Sequence, residues 1–193
     1  VSSAASDVYK RQIMSYQENY QKWLDFASLP AYLRDELVAM DEKTKEDAFY
    51  TNLEFGTAGM RGYIGAGTNR INIYVVRQAT EGLARLIDSK GEEAKKRGVA
   101  IAYDSRHFSP EFAFESAQVL AAHGIKSYVF ESLRPTPELS FTVRHLHTFA
   151  GIMVTASHNP APFNGYKVYG EDGGQMPPAD ADALTDYLSL IHI

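Results

Sequence analysis

The chain has 193 residues, 45% of them apolar and 22% charged, with a net charge of −5 and no cysteine. A domain of this length buries ~70% of the surface its unfolded chain exposes, and its acidic balance excludes a broad basic field for nucleic acid. The lack of cysteine excludes disulfides and thiolate metal sites and fits a reducing cytoplasm. Without an apolar run of ~18 residues or a basic-then-apolar leader, the chain is expected neither to cross a membrane nor to be exported.

Residues 1–12 are small, polar and aperiodic and read as a non-native tail; residues 189–193 read as a second, leaving 13–188 as the domain. Tyr16, Tyr20, Trp23, Leu24 and Ala27 recur at helical spacing, which predicts a helix over 15–29 closed by Pro30. Leu33, Leu37, Val38 and Met40 mark a second short helix, and 45–52 a third. After an extended 53–55, the run Gly56-Thr-Ala-Gly-Met-Arg-Gly-Tyr-Ile-Gly-Ala-Gly67 is too rich in glycine to be regular throughout. Asn72 caps a long amphipathic helix through Val75, Val76, Ala79, Leu83, Leu86 and Ile87 that ends before Gly91.

A charged turn leads into the apolar strand 98–104. Ser109-Pro110-Glu111 opens a helix, with proline at its first position and an acid in its first turn, that runs to Gly124. Strand 126–130, helix 137–147, strands 149–155 and 165–169, and a last helix over 180–188 complete the order. Strands alternating with helices of ~12 residues predict an α/β fold, a mixed, mostly parallel sheet flanked by helices on both faces.

Chemistry concentrates at strand ends. The strand over 149–155 runs into Ala156-Ser-His-Asn-Pro160, placing Ser157 at the sheet's carboxyl edge, where open α/β sheets bind ligands. If 165–169 returns antiparallel, Lys167 falls roughly opposite Thr155 and within reach of Ser157, with Lys167 and Tyr169 on one face and Tyr166 and Val168 on the other. A serine hydroxyl needs a base or an electrostatic partner to act as a nucleophile, and His158 and Lys167 are the local candidates. Ser-His-Asn-Pro is also a good turn in its own right. A serine-hydrolase site is disfavoured, since no Gly-x-Ser-x-Gly elbow is present and a histidine adjacent to its serine is badly placed as its base.

Glycines in Gly56-Thr-Ala-Gly-Met-Arg-Gly62 let backbone N–H groups approach an anion, and Arg61 can grip a phosphate through two donors, although the segment also reads as a tight turn. It is neither a Walker loop nor a dinucleotide fingerprint. Asp104 and Arg106, in Tyr103-Asp-Ser-Arg-His107, read as a structural pair that braces the loops. His145 and His147 fall on different helix faces, so no metal site is expected there. Asp172 reads as a turn residue.

Taken in order, Phe55-Gly-Thr-Ala-Gly-Met-Arg-Gly62, Thr155-Ala-Ser-His-Asn-Pro160 and Asn164-Gly-Tyr-Lys-Val-Tyr-Gly-Glu-Asp-Gly173 resemble the first domain of the α-D-phosphohexomutases. The wording is most similar to the long bacterial phosphoglucomutases and their phosphopentomutase-like relatives, over roughly residues 13–188. The resemblance implies a phosphohexomutase domain I fold in which Ser157 is carried as a phosphoserine whose phosphate also ligates Mg²⁺. It implies conversion of glucose 1-phosphate to glucose 6-phosphate, the phosphoryl group passing to a sugar monophosphate to form glucose 1,6-bisphosphate and returning to Ser157. Lys167 and Arg61 are then acid/base and charge-stabilising candidates, His158 holds the loop or aids proton transfer, and Thr57 and Asn164 help bind the substrate. Family members have four domains. The metal loop, the sugar-reading loop and the phosphate clamp belong to the later three, so this polypeptide alone is expected to be inactive. Phosphomannomutase or phosphopentomutase activity, or a sugar-phosphate-binding module without catalysis, stand as alternatives.

Overall fold

A computed structural model describes residues 16–56 and 59–176. The chain divides into two compact units, one built on residues up to Asn52 together with Gly65–Arg70, the other from Leu53–Ile64 and from Ile71 onward.

Among the described residues the first unit holds three short helices, α1 (Tyr16–Asp25), α2 (Ala31–Ala39) and α3 (Glu42–Phe49). Tyr20 and Trp23 of α1 meet the buried Phe49 ring edge-on at 5.7 and 5.8 Å, the offset that aromatic quadrupoles favour. The Tyr20 hydroxyl donates to the Leu37 carbonyl, and Arg34 donates to the carbonyls of Leu24 and Phe26 at the end of α1. α3 starts three residues earlier than its sequence pattern predicts, because the Asp41 carboxylate accepts from the Thr44 N–H and caps it.

The second unit is a five-stranded sheet with helices on both faces. Its elements are β1 (Met60–Tyr63), α4 (Ile73–Lys90), α5 (Glu92–Arg97), β2 (Val99–Tyr103), α6 (Ser109–Ala122), β3 (Ser127–Val129), α7 (Thr136–Leu146), β4 (Ala150–Val154) and β5 (Phe163–Tyr169), with strand order β1-β5-β4-β2-β3. Asn72 caps α4 as expected, its side chain accepting from the N–H groups of Tyr74 and Val75. The charged turn after α4 is in fact the single-turn-and-a-half helix α5.

Alternation along the strands divides the core in two. Val99, Ile101 and Tyr103 of β2, Ile152 and Val154 of β4, and Tyr166 and Val168 of β5 pack with α4 and α6. Ala100, Ala102, Met153 and Tyr169 pack with Leu139 and Val143 of α7. The small residues on that second face let α7 sit close: a Cβ on Gly151 would stand 2.7 Å from Val143 Cγ2.

The sheet, expected to be mostly parallel, is evenly mixed. β2 is parallel to β3 and β4, whereas β5 is antiparallel to β4 and β1 to β5. The reason is the length of the β4–β5 connection, which is far too short for the crossover a parallel return needs. The helix expected over 180–188 lies outside the described residues, as do both tails. Among the described residues no helix is long and apolar enough to cross a membrane.

Candidate functional site

The loops that leave the carboxyl ends of neighbouring strands β2 and β4 meet at one edge of the sheet, wholly within the second unit. β4 is fully buried, and its pairing with β5 extends by one residue through the Thr155 N–H to Gly165 carbonyl bond. The chain then turns sharply. Thr155 Oγ1 accepts from the Ser157 N–H at 2.9 Å, and the Ala156 carbonyl accepts from the Asn159 N–H at 3.1 Å. Ser157 takes a φ of +59°, a left-handed conformation that side-chain-bearing residues seldom adopt and that clusters at functional sites. Its side chain is thereby exposed, with Oγ 3.5 Å from His158 Nδ1, the outer limit of a hydrogen bond.

Two cations share the sheet face beside this loop. Arg61 in β1 lies opposite Gly165, and Lys167 lies two residues further along β5 on the same side. Arg61 Nη1 donates to Asn159 Oδ1 at 3.0 Å, tying the edge strand to the serine loop. Burial holds the Lys167 ammonium below the usual lysine range, and the Arg61 charge adds to the effect. The close approach depends on glycine. A Cβ on Gly165 would stand 2.5 Å from the Thr155 carbonyl oxygen and 2.8 Å from that of Met60. At Gly59 (φ +91°) it would stand 2.2 Å from the Tyr166 carbonyl oxygen.

The register corrects one expectation. Lys167 lies opposite Met153, and Gly165, not Lys167, faces Thr155. β5 begins at Phe163 rather than Gly165, and a hairpin's register follows from its loop rather than from alternation. The faces are as expected: Tyr166 and Val168 join one core cluster, Tyr169 the other. Tyr166 is fully buried and its hydroxyl pairs with Thr80 Oγ1 at 2.9 Å, which pins β5 to α4; that burial raises its phenol pKa steeply.

Asn164 is completely buried. Its Nδ2 donates to the His107 carbonyl at 3.0 Å and to Ser109 Oγ at 2.9 Å, while Oδ1 accepts from the Gly165 N–H. Ser109 Oγ in turn donates to Asp104 Oδ1, which also accepts from the Arg106 N–H. Asp104 and Arg106 form the expected ion pair at 3.4 Å, and the Arg106 guanidinium reaches across to the serine loop. Thr57 lies outside the described residues. The structure thus gathers Ser157, His158, Arg61 and Lys167 at one edge, with Asn164 beneath. Asn159, quoted in the motif but given no role, is the residue whose amide joins Arg61 to the loop. Only its polarity signalled it. Among the described residues no group of three or more histidine, aspartate or glutamate side chains is arranged to hold a metal.

Residues 52–191 match the family model described as phosphoglucomutase/phosphomannomutase, alpha/beta/alpha domain I. The phosphoglucomutase of Staphylococcus epidermidis is 41% identical over 169 residues, covering 88% of this chain and 30% of that protein. The phosphoglucomutase of Staphylococcus aureus is 44% identical over 147 residues, 76% of this chain and 26% of that one. Among solved structures, a phosphomannomutase-like protein of Thermus thermophilus matches 72% of this chain and 30% of its own with a TM-score of 0.64 and 31% identity. A phosphoglucomutase/phosphomannomutase family protein of Burkholderia thailandensis shares the fold, with a TM-score of 0.57 and 24% identity. The chain spans about 30% of the length of these relatives. It belongs to the phosphoglucomutase/phosphomannomutase family, as a carrier of that family's domain I.

Proposed function

We propose that this chain is the phosphoserine-bearing domain of a phosphoglucomutase, and that Ser157 carries the phosphoryl group between glucose 1-phosphate and glucose 6-phosphate. The observation that carries this reading is the exposed hydroxyl of Ser157, held at φ +59° at the end of β4, with the Arg61 and Lys167 side chains on the neighbouring face. Phosphoserine brings nearly two negative charges, which call for such cations. In the transfer, the bond between phosphorus and Ser157 Oγ breaks as a sugar hydroxyl bonds to phosphorus and gives up its proton. The reverse step returns the other phosphate of glucose 1,6-bisphosphate to Ser157. Lys167, whose ammonium burial disfavours, is the acid/base candidate for that proton, and Arg61 is suited to offset charge on the equatorial oxygens. His158 steadies Oγ through its ring nitrogen.

Asn164 serves in this reading as a fastener beneath the site, since its amide is committed to protein groups. Thr57 is assigned to substrate binding on the motif alone. Mg²⁺ would meet this chain through Ser157 and its phosphate, where it would neutralise phosphoryl charge. Its other ligands, and the parts that read the sugar, would come from the remaining three domains of a longer protein acting in the cytoplasm. The glucose assignment is favoured over mannose or pentose because the staphylococcal relatives are phosphoglucomutases. Incubating the chain with glucose 1,6-bisphosphate and Mg²⁺ should add one phosphate, located at Ser157 by peptide mass analysis and absent in Ser157→Ala. Binding of sugar phosphate without any covalent adduct would instead support a non-catalytic module. Glucose 1-phosphate should not be turned over by this chain alone.

A further inference from the structure

We infer that Arg106 is the positioning residue of the site: its guanidinium sets the backbone of the Ser157 loop so that the His158 N–H faces the phosphate of Ser157. The inference rests on the phosphoserine reading only for that last clause. Nη2 of Arg106 donates to the carbonyls of Ser157 (3.0 Å) and Asn159 (2.7 Å), and Nη1 to those of Pro160 (2.9 Å) and Phe163 (3.0 Å). Nε faces Asp104 Oδ2 at 3.4 Å. Four of the five N–H groups of the guanidinium are therefore hydrogen-bonded to carbonyls of residues 157–163, and the fifth faces its ion-pair partner. The arginine is in turn anchored to the end of β2, where Asp104 donates its N–H to the Val154 carbonyl and takes the Arg106 N–H on its carboxylate.

This arrangement has a consequence for the nucleophile. A trans peptide points its C=O and N–H in opposite directions. With the Ser157 carbonyl turned toward Arg106, the following N–H, that of His158, points away from Arg106. Among the described residues it has no protein acceptor, whereas the flanking N–H groups of Ser157 and Asn159 are both bonded. An N–H held in this way is a preorganised donor for an oxyanion on the adjacent side chain. The guanidinium adds to the Thr155 Oγ1, Ala156 carbonyl and Arg61 contacts of the turn, and is the one side chain bonded to the Ser157 carbonyl, so its loss frees Ser157 to relax from its left-handed backbone. Lysine cannot substitute, because three donors on a single nitrogen cannot reach four separated carbonyls.

The test compares the wild-type chain with Arg106→Lys by amide NMR, before and after phosphate loading from glucose 1,6-bisphosphate. In the wild type, backbone shifts should report a left-handed Ser157, and the His158 amide proton should move downfield on phosphorylation. In Arg106→Lys, shifts should change across 155–163 while strands β2 and β4 keep theirs. The His158 response should be lost, and phosphate uptake slowed tenfold or more. If Arg106→Lys gives no dispersed spectrum, Asp104→Asn, which keeps the guanidinium and removes its charged partner, should show the same changes to a smaller degree. A left-handed Ser157 with unchanged shifts over 155–163 in the folded variant would overturn the inference. If the wild type takes up no phosphate, the phosphoserine reading fails, while the Ser157 backbone comparison still decides the part played by Arg106.

Discussion

Asn164→Ala removes two donors and an acceptor from a place that water does not reach. The deletion strands the His107 carbonyl and the Gly165 N–H, while Ser109 Oγ keeps its bond to Asp104. At ~1–3 kcal/mol for each buried polar group left unpaired, two such groups cost about 2–6 kcal/mol. The His107 carbonyl is only part-buried, which places the value near the lower half, at about 3 kcal/mol. For a domain of this size that corresponds to a fall in melting temperature of roughly 6–12 °C. Urea unfolding followed by circular dichroism at 222 nm is the suitable assay. Trp23, the chain's one tryptophan, lies in the first unit, so its fluorescence does not report on this site. Pairing the change with Ser109→Ala in a double-mutant cycle should give a coupling of about 1 kcal/mol, since the two side chains share a bond. A loss below about 1 kcal/mol for Asn164→Ala would refute the claim that this amide fastens the two loops.

Three further outcomes follow from particular residues. Ser157→Gly relieves a left-handed backbone that costs a side-chain-bearing residue ~1–2 kcal/mol, partly offset by the looser unfolded chain. It should therefore unfold no more readily than wild type in urea while taking up no phosphate; a loss of stability would count against strain at this position. Lys167, held low first by burial and then by Arg61, should titrate below the ordinary 10.5 when its dimethylated ¹³C signal is followed by NMR. Its charged form is disfavoured in the fold, so stability should rise as pH passes upward through the lowered value. Arg61→Met should move that value part of the way back, and an unmoved titration would contradict the pairing. His123 lies between Glu81 (2.9 Å) and Asp88 (2.6 Å). Burial works to lower its pKa, but the bonds to Asp88 and Glu81 outweigh it and raise the value above 6.5. That contribution is complete below 6.5 and is lost as pH rises through the folded value. His123→Gln should flatten the loss of stability above pH 6.5, and an unaltered slope would dismiss the network as a source.

The strands that build the centre of the sheet were legible because burial on both faces leaves short apolar runs, as in Val99-Ala-Ile-Ala-Tyr103 and Ala150-Gly-Ile-Met-Val154. The Ser157 loop was legible because it follows such a run. What the sequence hides is arrangement across the chain. β1 disappears inside a glycine-rich segment because only its partner β5 makes it a strand. The helix Glu92–Arg97 shows no apolar periodicity, being charged at five of six positions, so it reads as a turn. Lys167 sits two residues from its expected partner because the turns within 155–162 set the register. Asn164 before Gly165 has the signature of a turn, and its burial comes from loops more than fifty residues distant. Asp104 and Arg106 were readable as a pair, but the four carbonyls that Arg106 gathers carry no side-chain signature at all.

The pairing of β1 with β5 joins segments about a hundred residues apart in the chain. During synthesis at ~5–20 residues per second, Met60–Tyr63 therefore leaves the ribosome roughly 5–20 s before the strand that completes it. An unpaired edge is a template for wrong partners over that interval. Four residues, one of them a charged arginine and another a glycine, make a poor template. The guanidinium that holds Asn159 in the folded chain is thus also the charge that disfavours mispairing of this edge before β5 is made.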